Sequence, residues 1–301
     1  MLALSEYRDA INLDEPIADP RGDTRSNYDL LMTALSGLHN KHYTGSSSMA
    51  HLSTDEGLWR WLASELAIRK PGPIDPVTSR AINTLLFRIS GLKGRVEALN
   101  LRRVSEAYPQ CDFQQAERVA LFLGDISQLA IDAVVNTALP DMTGCPIPLH
   151  GCLDSEIHAQ AGPWLQNDCA KIIEIKGGNL EPGDAVLTRG YRLPARYVIH
   201  TLGPKVQGAV PTAQEREQLA LCYRNILDLC LEKGDIRSVA FPAISTGGNS
   251  FPAKEAAHIA LKTVEDWLAK RAPVLDLVLF SLHTDADTEV YSRAMKTWVT
   301  D

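Results

Sequence analysis

"RVALFLGDISQLAIDAVVN", residues 118–136, holds two short apolar runs, each closed by a polar residue. Val119 to Leu123 leads into Gly124 and Asp125, and Ile131 to Val135 leads into Asn136. Runs this brief and this rich in β-branched side chains favour buried strands over helices. Downstream, "AVLT" (185–188), "RYVIH" (196–200), "SVAFPA" (238–243) and "LDLVLFSL" (275–282) repeat the pattern. Between them lie helical stretches. Residues 212–234 carry Leu219, Cys222, Tyr223, Ile226, Leu229 and Cys230 at helical spacing, with Gly234 as the stop. Residues 252–271 open on Pro252 and repeat Ile259, Ala260, Val264, Trp267 and Leu268, and 288–298 close the chain similarly. Strands alternating with helices predict an α/β domain with a largely parallel sheet over 117–301. In such sheets ligands bind at loops beyond the carboxyl ends of the strands.

Upstream, residues 1–116 read as a helical N-terminal extension. Ser53 and Glu56 form a capping-box pattern ahead of Leu58, Trp61, Leu62 and Leu66, and "PGP" (71–73) stops that helix. A second amphipathic helix is expected over 78–101, with an interruption at Gly91 or Gly94, and 42–50 is a loop by composition. Trp59 and Trp61 suit either an exposed interaction face or core packing. Nothing in this part gathers catalytic residue types.

The whole chain sets bounds on function. A formal charge of −7 over 301 residues leaves no global basic footprint for nucleic acid. Six cysteines are too sparse for a disulfide scaffold. No apolar run approaches membrane-spanning length, and the acidic start "MLALSEYRDAINLDEP" does not read as a secretory signal. The expectation is an intracellular, cytoplasmic protein.

Three loops hold the residue types that chemistry needs. In "LGDIS" (123–127), Asp125 presents a carboxylate directly after a strand, suited either to a base's exocyclic amine or to a simple turn. In "PAISTGGNSFP" (242–252), Ser245, Thr246, Gly247 and Gly248 precede a helix N-terminus, a plausible diphosphate cradle that is neither a Walker loop nor GxGxxG; a plain tight turn is the other reading. In "GCPIPLHGC" (144–152), Cys145, His150 and Cys152 supply two thiols and an imidazole within eight residues, a zinc-type set, on a loop stiffened by Pro146 and Pro148. Buried unligated cysteines are the alternative. Leu153, Ile157, Ala161 and Leu165 mark a following helix whose first turn holds Asp154, beside the metal set. His158, one turn on, reads as a packed, hydrogen-bonded histidine, and Cys222 and Cys230 as core.

Taken in order, "LGDISQLAIDAVVNTA", "GCPIPLHGCLDSEIHAQAG", "GDAVLTRGYRLPARYVIHTLGP" and "FPAISTGGNSFP" resemble a macrodomain, the ADP-ribose-binding α/β module. The Cys-x4-His-x-Cys insert resembles the zinc-dependent branch, whose members remove mono-ADP-ribose from proteins and carry an N-terminal extension. The resemblance covers residues 117–301 and implies a three-layer α/β/α fold with a mixed, largely parallel sheet. It implies that Asp125 binds the adenine amino group, with a backbone contact from Ile126, and that Asn136 faces the distal ribose. Ser245, Thr246, Gly247 and Gly248 would line the diphosphate, with Asn249 and Phe251 completing that loop's ligand-binding set. Cys145, His150 and Cys152 would hold Zn, Asp154 would be catalytic, and His283 would help wall the adenine. The implied partners are ADP-ribose and mono-ADP-ribosylated protein. Two positions depart from the pattern. Leu139 ends Asn136-Thr137-Ala138-Leu139 where relatives have Asn-Ala-Ala-Asn, and Asn249 stands where they have an aromatic residue. Leu139 favours a rival reading, an ADP-ribose reader with little turnover; a purely structural zinc is a third.

Overall fold

A computed structural model describes residues 1–18, 20–38, 55–92, 94–147, 150–271 and 274–299. The expected loop at 42–50, the Ser53 half of the capping box, and Pro148 lie outside the described residues. The elements run α1 (Leu4–Tyr7), α2 (Asn27–Leu38), α3 (Asp55–Ile68), α4 (Pro76–Leu92), β1 (Val96–Glu97), α5 (Val104–Ala107), β2 (Val119–Leu123), β3 (Leu129–Ala130) and β4 (Ala133–Thr137). They continue with α6 (Leu153–Ala161), α7 (Pro163–Lys176), β5 (Ala185–Arg189), β6 (Tyr197–Thr201), α8 (Ala213–Lys233), β7 (Ser238–Phe241), α9 (Ala253–Lys270), β8 (Leu277–Leu282) and α10 (Asp285–Lys296).

The six apolar runs become one six-stranded sheet in the order β2-β8-β7-β4-β6-β5. Every neighbouring pair is parallel except β5 against β6. All six residues of β8 and all five of β6 are buried, so both faces of the sheet are covered by helices. That is why these strands read as continuous apolar runs rather than alternating ones. The edge strand β5 has outward-facing amides, and the Leu187 N–H donates to the Tyr7 hydroxyl (2.8 Å), which caps the edge from α1. No helix among the described residues is long and apolar enough to cross a membrane.

The apolar side chains divide into two clusters. Leu4, Tyr7, Ile11, Leu13, Ala98, Val104 and Phe113 join the core around the sheet. The helices α2, α3 and α4 form a separate bundle around Leu31, Leu35, Leu58, Leu62, Ile82 and Leu85. Trp59 and Trp61 pack half-buried against that bundle. The bundle leans on α7 through polar contacts: Arg69 Nη1 donates to Gln166 Oε1 (3.1 Å), the Gly72 N–H to Asn167 Oδ1 (2.8 Å), and Trp164 Nε1 to Ser79 Oγ (3.2 Å).

Two local expectations are corrected. The second helix of the extension runs through Gly91 to Leu92, and after Gly94, at φ +83°, Val96–Glu97 pairs as a strand with β3 instead of continuing as helix. The helix expected from Leu153 to Leu165 breaks at Gly162, which takes φ +96° and serves as both the end of α6 and the start of α7. This glycine is where the bundle touches the α/β core. A methyl group on it would lie 2.8 Å from Leu86 Cδ1 and 2.6 Å from the Trp164 ring. Gly162→Ala is therefore expected to cost about 1–3 kcal/mol through overpacking at a conformation that also strains alanine. Urea unfolding checks this; an unchanged midpoint would contradict it.

A second prediction concerns α7 itself. Asp168 accepts from the Tyr191 hydroxyl and lies 3.7 Å from Arg189 Nη2, yet burial pushes its carboxyl up to about 6. The folded state therefore holds this proton more tightly than the unfolded chain. Its contribution to stability is fully present below about pH 4 and is lost as pH rises through about 6, where the buried carboxyl must ionise. Asp168→Asn lacks that titration. The stability difference, wild type minus variant, should move by about 2–3 kcal/mol in favour of wild type between pH 7 and pH 4. Parallel denaturant titrations at the two pH values read it, and a pH-independent difference would contradict it.

Candidate functional site

The parallel strands bring their carboxyl ends to one edge of the sheet. Gly124 follows β2 there, and its N–H donates to Leu282 O at the end of β8 (3.0 Å). His283, next in the chain, is exposed beside it. Asp125 caps the turn after β2. Its Oδ1 accepts from the Ser127 N–H (2.8 Å) and the Ser127 hydroxyl (2.6 Å), so the side chain is locked by its own turn. Ile126 is buried in the core.

The loop after β7 is closed on itself: the Phe251 N–H donates to Ser245 O and the Ser250 N–H to Gly247 O, both at 2.9 Å. Ser245 and Ser250 take φ +66° and +58°. Ser245 Oγ is buried without a protein partner, packed so closely on Gly203 that a Cβ there would lie 2.2 Å away. Thr246 Oγ1 donates to Ala243 O (3.0 Å), and Gly247 and Gly248 are exposed at the loop tip. Asn249 staples this loop to the one after β6: its Nδ2 donates to Gly203 O (3.1 Å), and its own carbonyl accepts from the Val206 N–H (2.9 Å). A ring in its place could not make the first bond. Phe251 is buried in the core.

The loop after β4 carries the soft ligands. Cys145 Sγ lies 3.3 Å from His150 Nδ1, and the donor atoms of Cys145, His150 and Cys152 all fall within 4.8 Å of one another. Tetrahedral zinc with bonds of about 2.0–2.3 Å sets its ligand atoms roughly 3.5 Å apart, so the triad fits such an ion after small rotations. Cys145 is buried, His150 is exposed, and Cys152 caps the N-terminus of α6, where the helix dipole favours a thiolate. Burial and the neighbouring Cys145 thiol push the Cys152 thiol up, which a divalent cation between them would reverse.

One turn into α6, Asp154 is 5% exposed, and its Oδ1 accepts from Asn136 Nδ2 at 2.7 Å. Burial raises its carboxyl, opposed by the nearby His158, the Asn136 bond and the Cys145 backbone N–H. His158 Nε2 is 3.6 Å from Oδ1, and burial lowers this imidazole, so it packs as a neutral ring. Two acceptors here, Asn136 Oδ1 and Asp154 Oδ2, are buried with no partner at hydrogen-bond distance, although the Cys145 N–H faces the Asp154 carboxyl. His158, Cys169 and His200 also place ligand atoms within 4.8 Å of one another. Both His200 nitrogens are already engaged, however, by Asn136 (3.2 Å) and Thr188 (3.0 Å), and burial holds the Cys169 thiol well above its usual value. Of that second group His200 and Cys169 are hydrogen-bonded, whereas His158 Nε2, expected to be hydrogen-bonded, is buried with no hydrogen-bond partner.

A family model described as Macro domain matches residues 135–260. A probable bifunctional ADP-ribose hydrolase/ADP-ribosyltransferase of Fusarium oxysporum f. sp. cubense is 42% identical over 263 residues, 85% of this chain and 43% of its own length. A protein-ADP-ribose hydrolase of Staphylococcus aureus (strain MSSA476) is 41% identical over 180 residues, 60% of this chain and 67% of its own. The solved Oceanobacillus iheyensis macrodomain with ADP aligns with a TM-score of 0.54 at 34% identity, covering 60% of this chain and 91% of that one. The chain belongs to the macrodomain family. It spans less than half of the Fusarium relative and about two thirds of the staphylococcal one.

Within this macrodomain, the expected site residues fall into groups. Asn136, Asp154 and the Cys145–His150–Cys152 triad come together around the start of α6, whereas Asp125 and His283 sit at the β2–β8 end of the same sheet edge. Leu139, just past β4, is 41% exposed. Sequence reasoning passed over His200, Thr188 and Cys169. The available signal was a histidine and a threonine inside otherwise apolar strands, where an unpartnered polar group is costly.

Proposed function

We propose that this macrodomain hydrolyses the bond joining ADP-ribose to a protein side chain, with zinc held by Cys145, His150 and Cys152. The observation that carries the reading is the pair of buried, unpartnered acceptors, Asn136 Oδ1 and Asp154 Oδ2, beside a fitting metal triad. Buried acceptors left open call for a ligand rich in donors, and the adjacent hydroxyls of a ribose supply two. The named activities of the fungal and staphylococcal relatives support ADP-ribose removal.

In this account the Ser245–Gly248 loop receives the diphosphate and Asp125 the adenine amine, which leaves the distal ribose over Asn136. Zinc, when bound, supplies Lewis acidity that polarises an oxygen or eases loss of a proton from water. Asn136 Oδ1 accepts from a ribose hydroxyl and fixes the sugar. Asp154 Oδ2 takes the proton from the attacking water as general base. The bond from the anomeric carbon to the side chain breaks, the water oxygen takes its place, and the departing group leaves with the proton that Asp154 took from the water.

Leu139 supports a second reading. An exposed leucine at that position neither donates nor accepts, so a reader that binds ADP-ribose without cleaving it is the alternative. Incubating the protein with mono-ADP-ribosylated substrates and quantifying free ADP-ribose separates the two. Release supports the hydrolase, and tight binding with no release on any linkage supports the reader.

A further inference from the structure

The proposed ribose contact depends on which way the Asn136 amide points. With Oδ1 toward the pocket it accepts a hydroxyl. Reversed, it would offer a donor there and press its oxygen against the Asp154 carboxylate. Something has to select one orientation, and the register of three neighbouring strands does so. Asn136 on β4 pairs with His200 on β6, and Thr188 on β5 pairs with Val198, two residues before His200. Residues two apart on a strand share a face, so Thr188, His200 and Asn136 line one side of the sheet in a row.

We propose that Thr188 and His200 are positioning residues that fix the Asn136 amide through a one-directional hydrogen-bond chain anchored on a backbone carbonyl. This rests on the reading of Asn136 and Asp154 as ribose-facing acceptors. The Val198 carbonyl can only accept, and Thr188 Oγ1 donates its single proton to it at 3.4 Å. That leaves Oγ1 with lone pairs alone, so at 3.0 Å it accepts from His200 Nε2–H. A neutral imidazole carries one proton, which makes Nδ1 a lone pair that accepts from Asn136 Nδ2 at 3.2 Å. The second Nδ2 hydrogen goes to Asp154 Oδ1 at 2.7 Å. Both amide hydrogens are consumed, and Oδ1 is the atom left for the ligand.

Burial is what makes the chain directional. Thr188, His200 and Asn136 have no exposed surface, and Asp154 has 5%. The His200 imidazole sits well below its ordinary value because it is desolvated and faces the His158 ring, so it stays a one-proton carrier near neutral pH. Cys169 Sγ lies 3.7 Å from Nε2, and as a neutral thiol it can accept that proton as well as donate, so it accommodates the tautomer without setting it.

The test uses the full chain, a 15N spectrum of histidine-labelled protein without ligand, and ADP-ribose titration. In wild type His200 is expected to be protonated on Nε2 and bare on Nδ1. Thr188→Val, close to isosteric but without the hydroxyl, should move the proton toward Nδ1 and weaken ADP-ribose binding about tenfold, or about 1.4 kcal/mol. Thr188→Ser should behave as wild type in both. An Nδ1-protonated His200 in wild type would overturn the proposal, and that arm stands even if the valine variant fails to fold. An unchanged tautomer and affinity in a folded Thr188→Val would overturn it too. Wild type that does not bind ADP-ribose would instead remove the ribose-site reading, while the ligand-free spectrum still decides the chain.

Discussion

Asp154→Ala is expected to lower kcat for ADP-ribose release by about 10²–10⁴-fold, the range that a positioned general base contributes. The carboxylate has one oxygen committed to Asn136 and the other buried without a hydrogen-bond partner. Removing it takes away the open acceptor and leaves an Asn136 hydrogen without its partner. That stranded donor costs about 1–3 kcal/mol, and relief of a buried carboxylate, which burial already disfavours, offsets part of it. Loss of stability should therefore be modest beside loss of turnover. Asp154→Asn separates the two effects, since it preserves shape and an acceptor oxygen but cannot take a proton. Single-turnover release by both variants, with unfolding curves alongside, is the measurement. A folded Asp154→Asn within threefold of wild type would mean that the base lies elsewhere.

The second large effect is expected at the soft triad. Cys152→Ser, with Cys145→Ser as its companion, should lower bound zinc and release activity together by roughly 100-fold or more, because even outer-shell partners of a metal are worth 10–100-fold. Neither variant should unfold. Cys145 lies outside both apolar clusters, and the strands that carry most of the sheet core do not depend on this loop, so metal loss should disturb the loop and the start of α6 and leave the fold standing. A purely structural zinc predicts the opposite, a protein that unfolds when stripped. Metal analysis by mass spectrometry, circular dichroism and release, on the same preparations, distinguishes them. Full activity with no zinc in Cys152→Ser would exclude the metal from the reaction.

The strands were legible because a sheet covered on both faces needs uninterrupted apolar runs, and β2, β4, β6, β7 and β8 each carry one. The turn of Asp125 and the αL stop at Gly234 were legible because their chemistry is local. The break at Gly162 also had a local signal, the Gly162-Pro163 pair that opens α7, but the helical spacing of Leu153, Ile157, Ala161 and Leu165 continues across it and masked that signal. The clustering of Cys145, His150 and Cys152 needed only spacing along one loop. The Thr188–His200–Asn136 row needed the register of three strands, with β5 antiparallel to its neighbour, and no spacing in the sequence encodes that. Asn249 shows the same limit. Its departure from the family pattern was visible, but its bond to Gly203 joins two loops that meet in the folded chain.

Zinc-assisted removal of ADP-ribose from protein stands or falls on ADP-ribose release from a panel of mono-ADP-ribosylated proteins of different linkage, measured with a zinc chelator and then with zinc restored. Release is expected on at least one linkage, with its loss on chelation and its return with zinc. Release that chelation leaves untouched, or none on any linkage from folded, zinc-loaded protein, would contradict it.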